Sequence, residues 1–253
     1  GFTRNPLAEP GILGVNAGAA LAVVTAVALL GVGSSSVFAV FAFAGAALAA
    51  ATIVGVASLG RGALPATTLV LAGTALMALF TSLTTAILIQ EQGTLADVRF
   101  WLAGSVAGRD LSVLRGVAPY MLAGMAIGLL LSRSLTTLGL GEDVARAVGQ
   151  RIAWVKGAGL VAVILLAGAS VAVAGPIAFV GLIVPNGVRL LVGFDYRRII
   201  PLSAVLGAAL VLAADVISRM VLRPAEVPVG VTIALIGGPA LIYIVHRGGR
   251  WAS

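Results

Sequence analysis

Eight apolar stretches follow one another along nearly the whole chain, at 11–31, 36–58, 65–89, 111–132, 152–174, 176–194, 200–221 and 228–246. A segment crossing about 30 Å of hydrocarbon needs roughly twenty such residues. Within hydrocarbon every backbone N–H and C=O must find its partner in the protein, which leaves helices and closed barrels. Barrel strands would be short and would alternate apolar with polar residues. These runs are instead continuous, with abundant Gly and Ala. The chain is 60% hydrophobic and 10% charged, with a mean hydropathy of +1.14, far from the balance of soluble domains. The expected fold is all-α: a polytopic transmembrane helix bundle of about eight spans, forming one domain over 1–253.

The net charge of +7 does not mark a nucleic-acid surface, because the sixteen basic residues fall mainly in the gaps between apolar runs. Alternate gaps hold Arg4, then Arg61, then Arg133, Arg146, Arg151 and Lys156, then Arg197 and Arg198, then Arg247 and Arg250. Basic residues favour the cytoplasmic side, so both ends of the chain are expected there. The turn at Ser34–Ser36, the segment Gln90–Asp110, the Gly175 turn and Arg219–Glu226 are expected outside. The chain has no cysteine and one histidine, so thiolate chemistry and a histidine metal cluster are excluded. His246 reads as an interfacial residue. No Gly-rich phosphate loop, carboxylate pair or nucleophile beside a base is present. No catalytic residue, metal site or cofactor is expected in this chain.

The informative polar residues are those inside or beside apolar runs. Asp215 and Arg219 are four apart and can pair on one helix face; an outward role for Arg219 is the alternative, since charge near a membrane usually faces protein or water. Asn186 and Arg189 are one turn apart, beside Pro185, and can line a cavity or bond between helices. Arg189 can also reach the inner interface by snorkelling. Two gaps exceed a turn. Ile89–Asp110 admits a short external helix or gate, or an ordered loop, with Phe100 and Trp101 suited to the interface belt. In Thr136–Ile152, Leu140, Val144, Ala147 and Val148 share one helical face. Glu142 and Asp143 precede Arg146 and Arg151, as the helix dipole favours. Such a helix can lie on the membrane or dock in a partner's groove. Gly14/Gly18 and Gly124/Gly128 have the spacing that lets helices approach closely, with no specific pairing assigned.

The runs RNPLAEPGILGVNAGA (4–19), LVLAGTAL (69–76), WLAGS (101–105), LGLGEDVARAVG (138–149), GPIAFVGLIVPNGVRLLVGFDYRRIIPLSAVLGA (175–208) and PVGVTIALIGGPALIYIV (228–245) resemble the FecCD-type permeases. These are membrane subunits of type II ABC importers for iron-siderophores, haem and cobalamin. The resemblance implies that fold, in the bacterial cytoplasmic (inner) membrane. The family has ten spans, so it also implies that this chain lacks the first two. The implied partners are a second permease subunit (homodimer or paralogue), two ABC ATPase subunits, an extracytoplasmic substrate-binding protein and membrane lipid. ATP and Mg would be held by the ATPases.

The resemblance also implies residue roles. Asn5 and Leu7 match the family's cytoplasmic gate, facing Ala66 and Thr67. The segment 136–151, with Leu140, Gly141, Glu142, Val144, Ala145, Arg146, Val148 and Gly149, matches the helices that couple to the ATPase, and an outer gate is expected near Thr84–Asp97. Arg219 matches an outward arginine that pairs with an acidic residue of the binding protein. Asn186 departs from the family's pattern, which commonly has histidine after Val184-Pro185; asparagine keeps the hydrogen bonding and cannot titrate. The expected function is ATP-driven import of an iron-siderophore or related metal chelate. The alternative from the residues themselves is an ion-coupled secondary transporter, with Asp215 as the acid well within a span.

Overall fold

The computed structural model describes residues 9, 11, 14–31, 34–58, 66–108, 110–221 and 227–248. They form ten helices: α1 (Val15–Leu30), α2 (Ser35–Ser58), α3 (Ala66–Gln90), α4 (Gln92–Leu102), α5 (Leu111–Gly139), α6 (Glu142–Ala147), α7 (Ile152–Ala174), α8 (Val180–Val192), α9 (Tyr196–Val221) and α10 (Val229–Gly248). Each of the eight apolar stretches contains one helix. The other two, α4 and α6, occupy the two long gaps.

Five helices among the described residues are long and apolar enough to cross a membrane: those at 36–56, 70–90, 111–139, 152–174 and 196–221. The first and sixth stretches are shorter than expected. Helix α1 has 16 residues, and α8 has 13. At 1.5 Å per residue α8 reaches about 20 Å, short of the roughly 30 Å of hydrocarbon. The expected span 176–194 is therefore corrected: 175–178 is non-helical and the helix begins at Val180. The causes are local. Gly175 and Phe179 both take positive φ, at 74° and 70°, and Pro176 has no N–H to donate. Phe179 is the one non-glycine residue at positive φ among those described.

Helices α1, α2, α5 and α7 form the packed body, with α1 on α2 and α5 on α7 as the most extensive contacts. At the α1–α2 crossing a Cβ on Gly18 would collide with Ala49 and the Gly45 carbonyl, and one on Gly45 with the Gly18 carbonyl. Small residues that let backbones touch hold helices together where apolar burial supplies no drive. Of the second glycine pair, Gly124 packs against Leu165 and Leu166 of α7, whereas Gly128 faces Ile200 of α9. Helices α3 and α9 leave most of their apolar side chains outside the body, including Leu71, Leu83, Val205 and Leu212. Lipid or a second subunit is the natural medium for such faces.

The gap Ile89–Asp110 contains α4 followed by a short loop, which resolves the choice between helix and loop. Trp101 corrects an expectation. It is 2% exposed and meets Phe38 edge to face, with ring centroids 6.4 Å apart, so it belongs to the core and not to an interface belt. Phe100 remains outside, with the Arg99 guanidinium 4.9 Å over its ring. The loop after α4 is locked to two other segments: Ser105 N–H donates to the Ala174 carbonyl at 2.8 Å, and Gly230 N–H to the Gly104 carbonyl at 3.0 Å.

Candidate functional site

The segment 136–151 is two elements and not one amphipathic helix. Thr136–Gly139 finish the long helix α5, and only Glu142–Ala147 form α6. Gly141 and Gly149 bracket it at φ 133° and 78°, conformations that residues with a Cβ rarely take. Six residues are too few to hold a helix alone, so α6 depends on its attachments. Ala145 is fully buried and packs with Leu131, Leu138 and Val155, with Leu135 and Ile152 at the margin. Gln150 Nε2 donates to the Ser134 carbonyl at 3.0 Å. Glu142 accepts from Arg146 within the helix at 2.9 Å and from Lys156 of α7 at 2.8 Å. Arg146 also meets Asp143 at 3.1 Å.

The face expected from the sequence stays together but turns away from the body. Leu140, Val144, Ala147 and Val148 were expected on one apolar face, yet the chain itself covers Ala145 and leaves those four outward. Leu140 is 72% exposed and Val148 67%. One small residue, Ala145, makes the apolar contact of α6 with the body, and the larger apolar side chains are presented away from it.

A second feature was not anticipated from the sequence. Along the exposed face of α3, Thr74, Met77, Thr81, Ser82, Thr85 and Ile89 line a shallow groove of about 670 Å³. Its hydroxyls donate to the helix's own carbonyls: Thr81 to Met77 and Ser82 to Ala78, each at 2.8 Å, and Thr85 to Thr81 at 2.9 Å. Their polarity is thus satisfied without a partner helix. Hydroxyl residues recurring at helical spacing were the available signal. Thr84, the start of the expected outer gate, points the other way; it is buried and bonds to the Phe80 carbonyl at 2.8 Å.

The polar residues of α8 meet one another. Asn186 Nδ2 donates to the Leu182 carbonyl at 2.8 Å, which satisfies it within its own helix. Arg189 donates to Asn186 Oδ1 at 3.4 Å and to the Tyr196 hydroxyl at 3.0 Å. The guanidinium is half-buried at the α8–α9 turn with its Nε unpaired, so it folds onto Tyr196 instead of snorkelling freely. Thr136 completes this corner by accepting the Tyr196 N–H at 3.1 Å. Asp215 and Arg219 pair as their spacing predicts, at 2.9 Å, with the carboxylate the less exposed partner. Glu9 accepts a hydrogen bond from the Phe179 N–H, joining the segment before α1 to the start of α8. Asn5 and Leu7 lie outside the described residues. Ala66 and Thr67 begin α3, and their side chains lie outside the described set.

The sequence and fold have clear relatives. The FecCD transport family model matches residues 1–247. The chain is 45% identical over 249 residues to a probable siderophore transport system permease protein of Bacillus subtilis, covering 98% of this chain and 75% of that one. It is 47% identical to the iron(3+)-hydroxamate import system permease protein of the same organism, covering 99% of this chain and 65% of that one. It is 45% identical to the ferric enterobactin transport system permease protein of Escherichia coli, covering 98% of this chain and 74% of that one. A solved structure of a metal-chelate type ABC transporter in an inward-facing conformation superposes with a TM-score of 0.88 at 29% identity, covering 97% of this chain and 78% of that one. With the matched motifs spread from α1 to α10, this chain is a multi-pass membrane permease of the FecCD transport family.

Proposed function

We propose that the chain is the membrane-spanning subunit of an ABC importer that moves an iron-siderophore or related metal chelate into the cytoplasm. The observation that carries this reading is α6, beside which Leu140, Val144 and Val148 turn outward while Ala145 packs inward. Apolar side chains on a short, rigidly bracketed element are what a groove on a soluble partner would bury. That partner is an ATPase subunit, which holds the ATP and Mg. The whole of 1–253 works as one permease domain, and both its ends are cytoplasmic.

The pathway lies between this chain and a second permease copy or paralogue, with the hydroxyl-bearing face of α3 as part of its wall. A wall of satisfied hydroxyls and small apolar groups lets a bulky chelate pass without binding it tightly. Asn5 and Leu7, with Ala66 and Thr67, form the inner gate, and the segment from Thr84 to Asp97 the outer one. Arg219 meets an acidic residue of the extracytoplasmic binding protein while Asp215 orients its guanidinium. Asn186 serves packing, its amide being engaged with Leu182 and Arg189.

Copurification and reconstitution test the proposal. An ATPase subunit should remain with the permease in detergent, and proteoliposomes should accumulate a ferric siderophore only with ATP on the ATPase side and loaded binding protein on the other. Uptake driven by an ion gradient without an ATPase subunit would sink the proposal.

A further inference from the structure

We infer that Lys156 is a positioning residue whose ion pair with Glu142 relays movement of α6 into the transmembrane helix α7. The inference rests on the importer reading above. Glu142 carries two cations, one on each oxygen: Arg146 on Oε2 at 2.9 Å and Lys156 on Oε1 at 2.8 Å. Their roles differ by position. Arg146 belongs to α6 and is more than half exposed, so its bond stiffens the helix without attaching it to anything. Lys156 is the fifth residue of α7, fourteen residues away, and its side chain is only 19% exposed. An ammonium so far withdrawn from water is costly unless paired, which keeps it on the carboxylate.

The other attachments of α6 do not do the same work. Packing of Ala145 against Leu138 and Val155 is non-directional and lets the helix slide or roll. Gln150 ties the end of the segment to α5. The Glu142–Lys156 pair is the directional link from the body of α6 to α7, and α7 packs on α1, α2 and α5. A push on α6 therefore enters the helical body through Lys156. Coupling of this kind needs a physical element that both sites bias.

The test uses the assembled transporter with its ATPase and binding protein, reconstituted in proteoliposomes, and reads chelate taken up per ATP hydrolysed. Lys156→Met should retain the ATPase subunit and its hydrolysis while uptake per ATP falls about three- to tenfold. Lys156→Arg should restore most of that ratio, because it keeps the charge at the same reach. Glu142→Gln should reproduce the loss, and the double variant should be no worse than either single one, as for two residues acting through one contact. An unchanged ratio in Lys156→Met with the ATPase bound would overturn the inference. So would loss of the ATPase from Lys156→Met, since the pair would then only hold α6 for docking. Failure of the unaltered protein to retain an ATPase would instead sink the importer reading.

Discussion

Gly18 of α1 and Gly45 of α2 cross with each backbone carbonyl occupying the space that a Cβ on the other would need. The neighbours on this line are backbone and the methyls of Ala22 and Ala49, none of which can rotate away. Gly45→Val should therefore lower thermal stability in detergent by about 1–3 kcal/mol or prevent folding altogether. Gly55 is the control, because a Cβ there meets nothing within 4 Å. Gly55→Ala should leave the midpoint unchanged or slightly raised, and equal effects at the two sites would contradict the crossing.

Trp101 is nearly sealed from water and stands edge-on to Phe38. Truncation to alanine should cost about 3–5 kcal/mol of stability, while Trp101→Phe should cost much less because it keeps a ring in the space. Differential scanning fluorimetry on both variants decides the point. Similar small losses would mean that the residue faces lipid headgroups after all.

Asp110 caps α5, its Oδ1 accepting the Ser112 N–H at 2.8 Å. That backbone bond, helped by the Ser112 hydroxyl, holds its carboxyl below the ordinary value of 3.8. A lowered folded pKa means the cap is fully present above the ordinary aspartate range and is lost as pH falls through the lowered folded value. Amide exchange at Ser112 should accordingly be slower than in Asp110→Ala near neutral pH. The two proteins should converge under strong acid. Matching exchange rates at neutral pH would show that the cap contributes nothing.

The outward side chains of α6 and its anchor should separate docking from folding. Leu140→Asp combined with Val148→Asp touches only exposed positions, so the thermal midpoint should stay within about 0.5 kcal/mol of the parent. Capture of the ATPase subunit in a pull-down should fall sharply. Ala145→Leu should do the reverse in order of cause, lowering stability by about 1–3 kcal/mol through overpacking against Leu138 and Val155. If the aspartate variant kept its ATPase, the docking surface would have to lie elsewhere.

Apolar continuity alone determined that this chain is a membrane helix bundle, because a backbone in hydrocarbon has so few ways to satisfy itself. The Asp215–Arg219 pair was legible for a similar reason: a separation of four on a helix brings side chains together whatever surrounds them. Other features needed the third dimension. The 176–194 stretch is apolar enough to span, yet Gly175, Pro176 and the positive φ of Phe179 cut its helix to Val180–Val192. Trp101 looked interfacial in sequence and became core because α4 folds back onto Phe38. Periodicity placed Leu140, Val144 and Val148 together but could not say which face of α6 the body would claim. Ala145 packs with Leu138 and Val155, while the equally small Ala147 stays outside with the larger side chains, so size alone did not decide which face turned inward. The link from Glu142 to Lys156 crosses a turn and two helices. Sequence spacing carries no information at that separation, so only the packing of α6 against α7 could bring the two charges together.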